Sequence, residues 1–568
     1  MKRAIVFSCL LLLLVRVGTT RGQAPSRAFP LVEATIPDMQ AAMQAGTLTS
    51  RELVSQYLIR LATEEDRLNA AIAVNPAALE DADRLDRERS QGTVRGPLHG
   101  IPVALKDNIH TTDMPTTGGA LAFAGYVPPY EATLTKNLRE AGAIIIAKAG
   151  LTELANWVAG APTPMPGNYN AVAGFAYNPY DPRPDPREAT FDGRPALSTG
   201  GSSSGVGTAA NLWAANVGTD TGGSVISPSN ANMLVGIRPT LGRISRHGVI
   251  PITADHDTAG PMARTVTDAA IMLGALEGAT PDPEDPATAT CAPPPERDYT
   301  KFLRVRGLEG ARIGIPRAFY YEAVTLPGET RERGGLTPEQ ARSMTEAIAI
   351  LKQQGAVVVD PVEIPSFVDR NPAGNFLRFD YCQGAEQAKG QDANCTVSFK
   401  YGMKRDFNAW LKSLGPTAPV KTLTELRQWN LAHGKAGAVR YGQSRLDISD
   451  EMDVEADRAR FEADHRKDLR LSRDRGIDAV LAANRLDALL TPGGSGAGLA
   501  ARAGYPIIVV PFGMVPNAPT PPFPAGFNAK PAPFGVGFTG RSCSEPRLIE
   551  LAYAFEQATR RRVPPPIP

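Results

Sequence analysis

The sequence predicts an α/β protein built on a large, mostly parallel mixed sheet with helices on both faces. Two observations carry this: amphipathic helical patterns alternate with short apolar strand patterns, and glycine stops stand between them. Thr49-Ser-Arg-Glu52 forms a capping box ahead of Leu53, Val54, Tyr57, Leu58 and Leu61 at helical spacing. Ile101-Pro-Val-Ala-Leu-Lys106 then reads as a short buried strand closed by the polar turn Asp107-Asn108. Leu134 to Ala141 reads as a helix stopped by Gly142, followed by the strand Ala143 to Ala147. The same order returns at Thr337-Pro-Glu-Gln340, which caps a helix ended by Gly355 and followed by the strand Ala356 to Val359. Ile507 to Val510 is a further buried strand.

Proline-rich spans at about 162–195, 282–296 and 515–534 read as surface loops or lids within a single domain covering 23–568. The charged stretch Asp447 to Arg475 reads as one long exposed helix. At the N-terminus, Lys2-Arg3 precedes the apolar run Ala4 to Val15, and small residues follow near Gly22. This is the pattern of a cleaved signal peptide over residues 1–22, so the expected location is periplasmic or secreted. The 12-residue run is too short to span a bilayer, and no stable membrane insertion is expected. Removing residues 1–22 deletes four basic and no acidic residues, taking 60 basic and 59 acidic to 56 and 59, a net charge of −3. Nothing basic remains to suggest nucleic acid.

Chemistry concentrates in Ser198-Thr-Gly-Gly-Ser-Ser-Ser-Gly205 and Gly218-Thr-Asp-Thr-Gly-Gly-Ser224. Glycine pairs let backbone N–H groups turn inward and approach a ligand, so Thr221, Gly222 and Gly223 are candidate oxyanion donors just before a hydroxyl. Ser224 is the candidate nucleophile and needs a base within reach. Lys106, ending an apolar strand, qualifies if burial lowers its pKa toward 7. The plainer alternative for Lys106 is a snorkelling or salt-bridged lysine at a strand end.

Those motifs, with Gly100-Ile-Pro-Val-Ala-Leu-Lys-Asp-Asn-Ile, Gly236-Ile-Arg-Pro-Thr and Asp257-Thr-Ala-Gly-Pro-Met-Ala-Arg-Thr-Val, resemble the amidase signature family closely over residues 30–275. The resemblance implies the family's single α/β domain and a Ser-Ser-Lys triad: Ser224 attacks, Ser202 relays the proton and Lys106 is the final base. It implies a cis peptide from Gly201 to Ser202, an oxyanion hole at Thr221 to Ser224, loop bracing by Asp220 through backbone N–H bonds, and support of the relay by Ser203. Two departures stand out. The spacing from Ser202 to Ser224 is about two residues shorter than the family's, so a surface loop is expected to be trimmed within Asn211 to Asn216. Where the family often has an arginine two residues after the nucleophile, this chain has Ile226.

Competing readings exist. Gly201-Ser-Ser-Ser-Gly205 also fits a G-x-S-x-G elbow with Ser203 attacking, although Arg194-Pro-Ala-Leu-Ser-Thr is a poor preceding strand. Gly205-Val-Gly207-Thr-Ala-Ala210 faintly echoes a dinucleotide fingerprint and lacks its strand too. The six histidines form no metal-ligand spacing, so no metal and no cofactor are expected. His465 reads as part of a solvated helix face, and His256 as structural, with a second role behind the site as the alternative. Of the four mature cysteines, Cys382 and Cys395 are the expected local disulfide, with free buried thiols as the alternative; Cys291 and Cys543 are left unassigned. The expected function is an exported amidase cleaving the C–N bond of a neutral carboxamide or anilide, a small-molecule amide, through an acyl-Ser224 intermediate. A carboxylesterase or carbamate hydrolase with the same triad, or a silent binding protein, is the alternative.

Overall fold

The computed structural model describes residues 29–188, 192–201, 205–385 and 394–567. The expected signal peptide lies outside these residues, as do Ser202, Ser203 and the Gly201–Ser202 peptide bond.

Among the described residues, eleven strands form one sheet: β1 (Ala71–Val74), β2 (Pro102–Lys106), β3 (Ile144–Ala149), β4 (Ala215–Asp220), β5 (Val235–Arg238), β6 (Thr258–Ala263), β7 (Arg312–Pro316), β8 (Val357–Val362), β9 (Ala488–Pro492), β10 (Ile507–Val515) and β11 (Ala532–Thr539). Their spatial order is β1-β3-β2-β4-β6-β5-β10-β11-β9-β7-β8. Two wings are parallel, β3-β2-β4 and β9-β7-β8, and the strands between them pair antiparallel, giving the mixed α/β sheet flanked by helices that the alternation predicts. β2, β3 and β4 are buried along their whole length, as strands covered on both faces must be.

Local signals land where expected. Thr49 and Glu52 close a reciprocal capping box at the start of helix Ser50–Leu68, and Thr337 and Gln340 do the same for Pro338–Gln353. Helix Thr133–Glu140 ends before Gly142, which takes φ +85°, and leads into β3.

Two expectations are corrected. Asp447 to Arg475 is not one exposed helix. Helix Ser444–Asp450 ends, and the side chain of Asp453 accepts the N–H groups of Glu455 and Ala456, the local bond that turns a chain out of a helix. A second helix, Arg458–Leu469, then buries Phe461, Asp464 and Asp468, with Asp468 ion-paired to Arg502. His465 on it is half-buried and stacks on Phe461 rather than facing water. In the segment Asn211 to Asn216, Leu212, Trp213, Ala214 and Ala215 are fully buried; Trp213 fills the space opposite Gly207 and donates to Thr208.

The proline-rich spans are tied down by specific contacts. Arg183 lies over Phe527 and Arg187 over Phe523, while their guanidinium groups donate to Asn528 O and Pro521 O, so the spans near 162–195 and 515–534 clasp each other. Cys382 and Cys395 are bridged, and Cys291 pairs with Cys543 across 252 positions of sequence, tying the third proline-rich span to the chain's C-terminal part.

Candidate active site

The register of the parallel wing brings the distant motifs together. β2 pairs with β4 so that Leu105 stands beside Val217, which sets Lys106 against Thr219 at the end of β4, immediately before Asp220 and the second glycine turn. Lys106 is fully buried, and its Nζ donates to Thr219 Oγ1 at 2.6 Å and Thr219 O at 3.2 Å. No carboxylate among the described residues comes within ion-pair distance of it. Burial brings its pKa down from 10.5 to about 7, and the negative fields of Asp220 and Asp257 oppose the fall. Asn108 Nδ2 donates to the same Thr219 hydroxyl at 3.1 Å and fixes it.

Asp220 organises the turn that carries Ser224. Its Oδ1 accepts the N–H of Gly223 at 2.7 Å and its Oδ2 the N–H of Val225 at 2.8 Å. Arg238 Nη1 donates to both Asp220 Oδ1 and Asp220 O at 2.7 Å, and this pair is entirely buried. The turn is thus clamped from strand β5, at the price that the Gly223 N–H is occupied. Of the expected oxyanion donors, Gly223 is thereby committed to Asp220. Gly223 adopts φ +126°, which a side chain would resist. Gly222 is exposed and Ser224 half-buried, so both face accessible space.

The first glycine turn meets the helix after Ser224. Gly200 has φ +87°, and a Cβ on it would lie 2.4 Å from Ser227 O, so only glycine fits. Ile226 sits in an apolar cluster with Val225, Leu234 and Met262, so this position belongs to the core and offers nothing to grip a charged substrate.

A match to the model of the Amidase family covers residues 52–549. The chain belongs to the amidase signature family. A probable amidase of Arabidopsis thaliana is 33% identical over 558 residues, 97% of this chain and 95% of that protein. The peptide amidase of Stenotrophomonas maltophilia is 36% identical, with a TM-score of 0.77 over 94% of this chain and 99% of that one. A glutamyl-tRNA(Gln) amidotransferase chain of Chloroflexus aurantiacus is 35% identical over 367 residues, 63% of this chain and 68% of its own length. The amidase signature protein is thus a hydrolase-family enzyme acting on C–N bonds.

One site residue of this amidase signature protein escaped the sequence reading. Asp257 Oδ1 accepts the hydroxyl of Thr221 at 2.5 Å, while its Oδ2 accepts the N–H groups of Ile252 and Thr253. Burial raises its pKa to about 6. The signal for it was the Asp257-Thr-Ala-Gly-Pro-Met motif, whose first residue carries the contact. Burial of His256 next to it holds its pKa near 3, and its ring packs edge-on against Phe399. Among the described residues, no group of three or more His, Cys, Asp or Glu side chains is placed to hold a metal ion, and no helix is long and apolar enough to cross a membrane.

Proposed function

We propose that this amidase signature protein is an exported serine amidase that hydrolyses a neutral carboxamide or anilide through an acyl-Ser224 intermediate. One observation carries the reading: Lys106 is a fully buried amine with a pKa near 7 and no ion-pair partner among the described residues, poised beside the turn that ends in Ser224. Such an amine is neutral in part near pH 7 and in that form accepts a proton.

In this mechanism Ser224 Oγ attacks the carbonyl carbon while its proton passes through Ser202 to Lys106. The oxyanion forms against the N–H groups of Thr221 and Gly222, held in place by Asp220, Arg238 and Asp257. Collapse breaks the C–N bond, and the leaving amine takes the proton back from Lys106 through Ser202. Water then attacks the acyl ester by the reverse proton route and releases the acid. Similarity to a peptide amidase over nearly the whole of both chains supports an amide of a peptide as one substrate of this kind. The leader-like N-terminus favours export, which would keep the enzyme away from tRNA.

The experiment is labelling of the mature chain with a fluorophosphonate, intact-mass measurement and peptide mapping. The expected adduct is on Ser224. An adduct on Ser203 would install the G-x-S-x-G elbow instead, and no adduct would point to a silent binding protein. Comparing amide, ester and carbamate with a common acyl group then separates the amidase from its esterase alternative.

A further inference from the structure

Carbonyls along the first glycine turn are held by side chains from three places in the chain. Asn178 Nδ2 donates to Ser198 O at 2.8 Å, Asn232 Nδ2 to Thr199 O at 3.0 Å, and Thr152 Oγ1 to Gly201 O at 3.1 Å. All three side chains are buried, none exposing any of its surface. The two asparagines do more than anchor the turn. Asn178 also donates to Ala231 O at 2.8 Å, and Asn232 to Pro228 O at 2.8 Å, both carbonyls of helix Ile226–Ala231, which follows Ser224 directly.

Each amide group therefore bridges the first turn to the segment behind the second. Asn178 Oδ1 accepts the N–H of Tyr180, so its NH2 group is aimed and not free to rotate away. Gly200 presses on Ser227 and Pro228 between the two bridges, closing the contact sterically. Thr152 secures the far end: its hydroxyl accepts the N–H of Asn168 at 2.6 Å while donating to Gly201, so both its capacities are used. Hydroxyl and amide donors that are buried and fully committed make a stiff link, and breaking either bond of Asn232 strands a buried carbonyl, that of Thr199 or Pro228.

We infer that Thr152, Asn178 and Asn232 are positioning residues that set the turn ending at Gly201 in register with the helix that follows Ser224. This rests on the serine amidase reading, in which the residue after Gly201 relays the proton between Ser224 and Lys106. A relay must keep two short hydrogen bonds at once, and a shift of the turn by a fraction of a bond length lengthens one of them. Ground-state substrate binding, which the relay does not touch, is unaffected.

The test compares Thr152→Val, Thr152→Ser and Asn178→Ala in the full mature chain by three readouts: the rate of fluorophosphonate labelling of Ser224, kcat and KM on an amide, and hydrogen exchange. Thr152→Val keeps the shape and loses the hydroxyl; Thr152→Ser restores it. Labelling and kcat are expected to fall by ~10- to 100-fold in Thr152→Val and Asn178→Ala with KM within about twofold, and to recover to within about threefold in Thr152→Ser. Exchange is expected to quicken in peptides containing Ser198 to Gly201 and, for Asn178→Ala, Ile226 to Ala231, with other peptides unchanged. The inference is overturned by wild-type labelling and exchange in Thr152→Val, by equal loss in Thr152→Ser, or by exchange that quickens everywhere, which marks a global loss of stability. If the wild-type chain takes no label, the amidase reading fails, and local exchange alone then decides whether the two segments are linked.

Discussion

Lys106 and Lys148 stand near the C-terminal ends of neighbouring parallel strands, β2 and β3, and neither exposes any of its side chain. They differ in what faces them. Lys148 Nζ lies 3.3 Å from Asp107 Oδ1 and donates to Thr116 Oγ1 and Pro115 O. Asp107 in turn accepts the N–H and hydroxyl of Thr117. Burial pushes both members of this pair toward neutrality, and their mutual attraction opposes it. Among the described residues Lys106 bonds only to the hydroxyl and carbonyl of Thr219, with carboxylates acting on it from a distance. On the proposed reading one lysine is held in an ion pair and the other is the base, and the difference between their surroundings is one carboxylate at contact, not burial. It also places the costs differently. A matched buried pair is costly to break, whereas a lone buried amine is already a cost that function maintains.

The largest effects follow from removing each lysine. Lys106→Met is expected to lower Ser224 acylation near pH 7 on the order of 10⁴-fold while leaving the fold intact. Its melting temperature should equal or exceed that of the parent. The sign follows from linkage: the folded pKa of about 7 lies below the unfolded 10.5, so the unfolded chain binds the extra proton. Lys106 therefore costs stability at neutral pH, and the cost shrinks as pH rises from 7 toward 10.5. Lys148→Met should do the opposite. It leaves Asp107 buried without its cation, an expected loss of ~3–5 kcal/mol, yet the folded fraction should label at Ser224 with an unchanged pH profile. Thermal melts and labelling rates on the two variants check both; equal behaviour would erase the distinction between the lysines.

That distinction was only partly legible in the sequence. Lys148 also ends an apolar run, Ile144-Ile-Ile-Ala147, so residue type and position alone fit either lysine as a base or as an ion-pair partner. Only the motif around Lys106 singled it out. Elements with strong local signals, such as the capped helices starting at Ser50 and Pro338, were readable because their determinants lie within a few residues of each other. The bond from Thr221 to Asp257, the clamp of Arg238 on Asp220 and the Cys291–Cys543 bridge join positions 36, 18 and 252 apart, and no periodicity encodes such distances. The stretch from Asp447 was misread because charge density looks like exposure, whereas Asp468 is buried against Arg502. The course of Asn211 to Asn216 through the core was not legible either, because it depends on Trp213 filling the space opposite Gly207.

The smallest expected effect probes the distant carboxylates. Asp257 raises the pKa of Lys106 without touching it, so it acts as a weak, remote version of what Asp107 does for Lys148 at contact. Asparagine at this position keeps the geometry: its Oδ1 can accept the N–H groups of Ile252 and Thr253, while its Nδ2 donates to the Thr221 hydroxyl, reversing that one bond. With the negative charge gone, the ammonium form of Lys106 is less favoured and its pKa falls below about 7. Since the neutral amine is the active form, acylation rises with pH up to this point, and Asp257→Asn should move the acidic limb to lower pH by a fraction of a unit. The ionisation of Asp257 itself near 6 disappears from the same limb, which should steepen less and follow a single proton. A labelling-rate profile from pH 5 to 9 measures both changes. An unmoved limb would mean that Asp257 acts on Thr221 alone and that its charge does not reach Lys106, leaving burial and Asp220 to set that pKa.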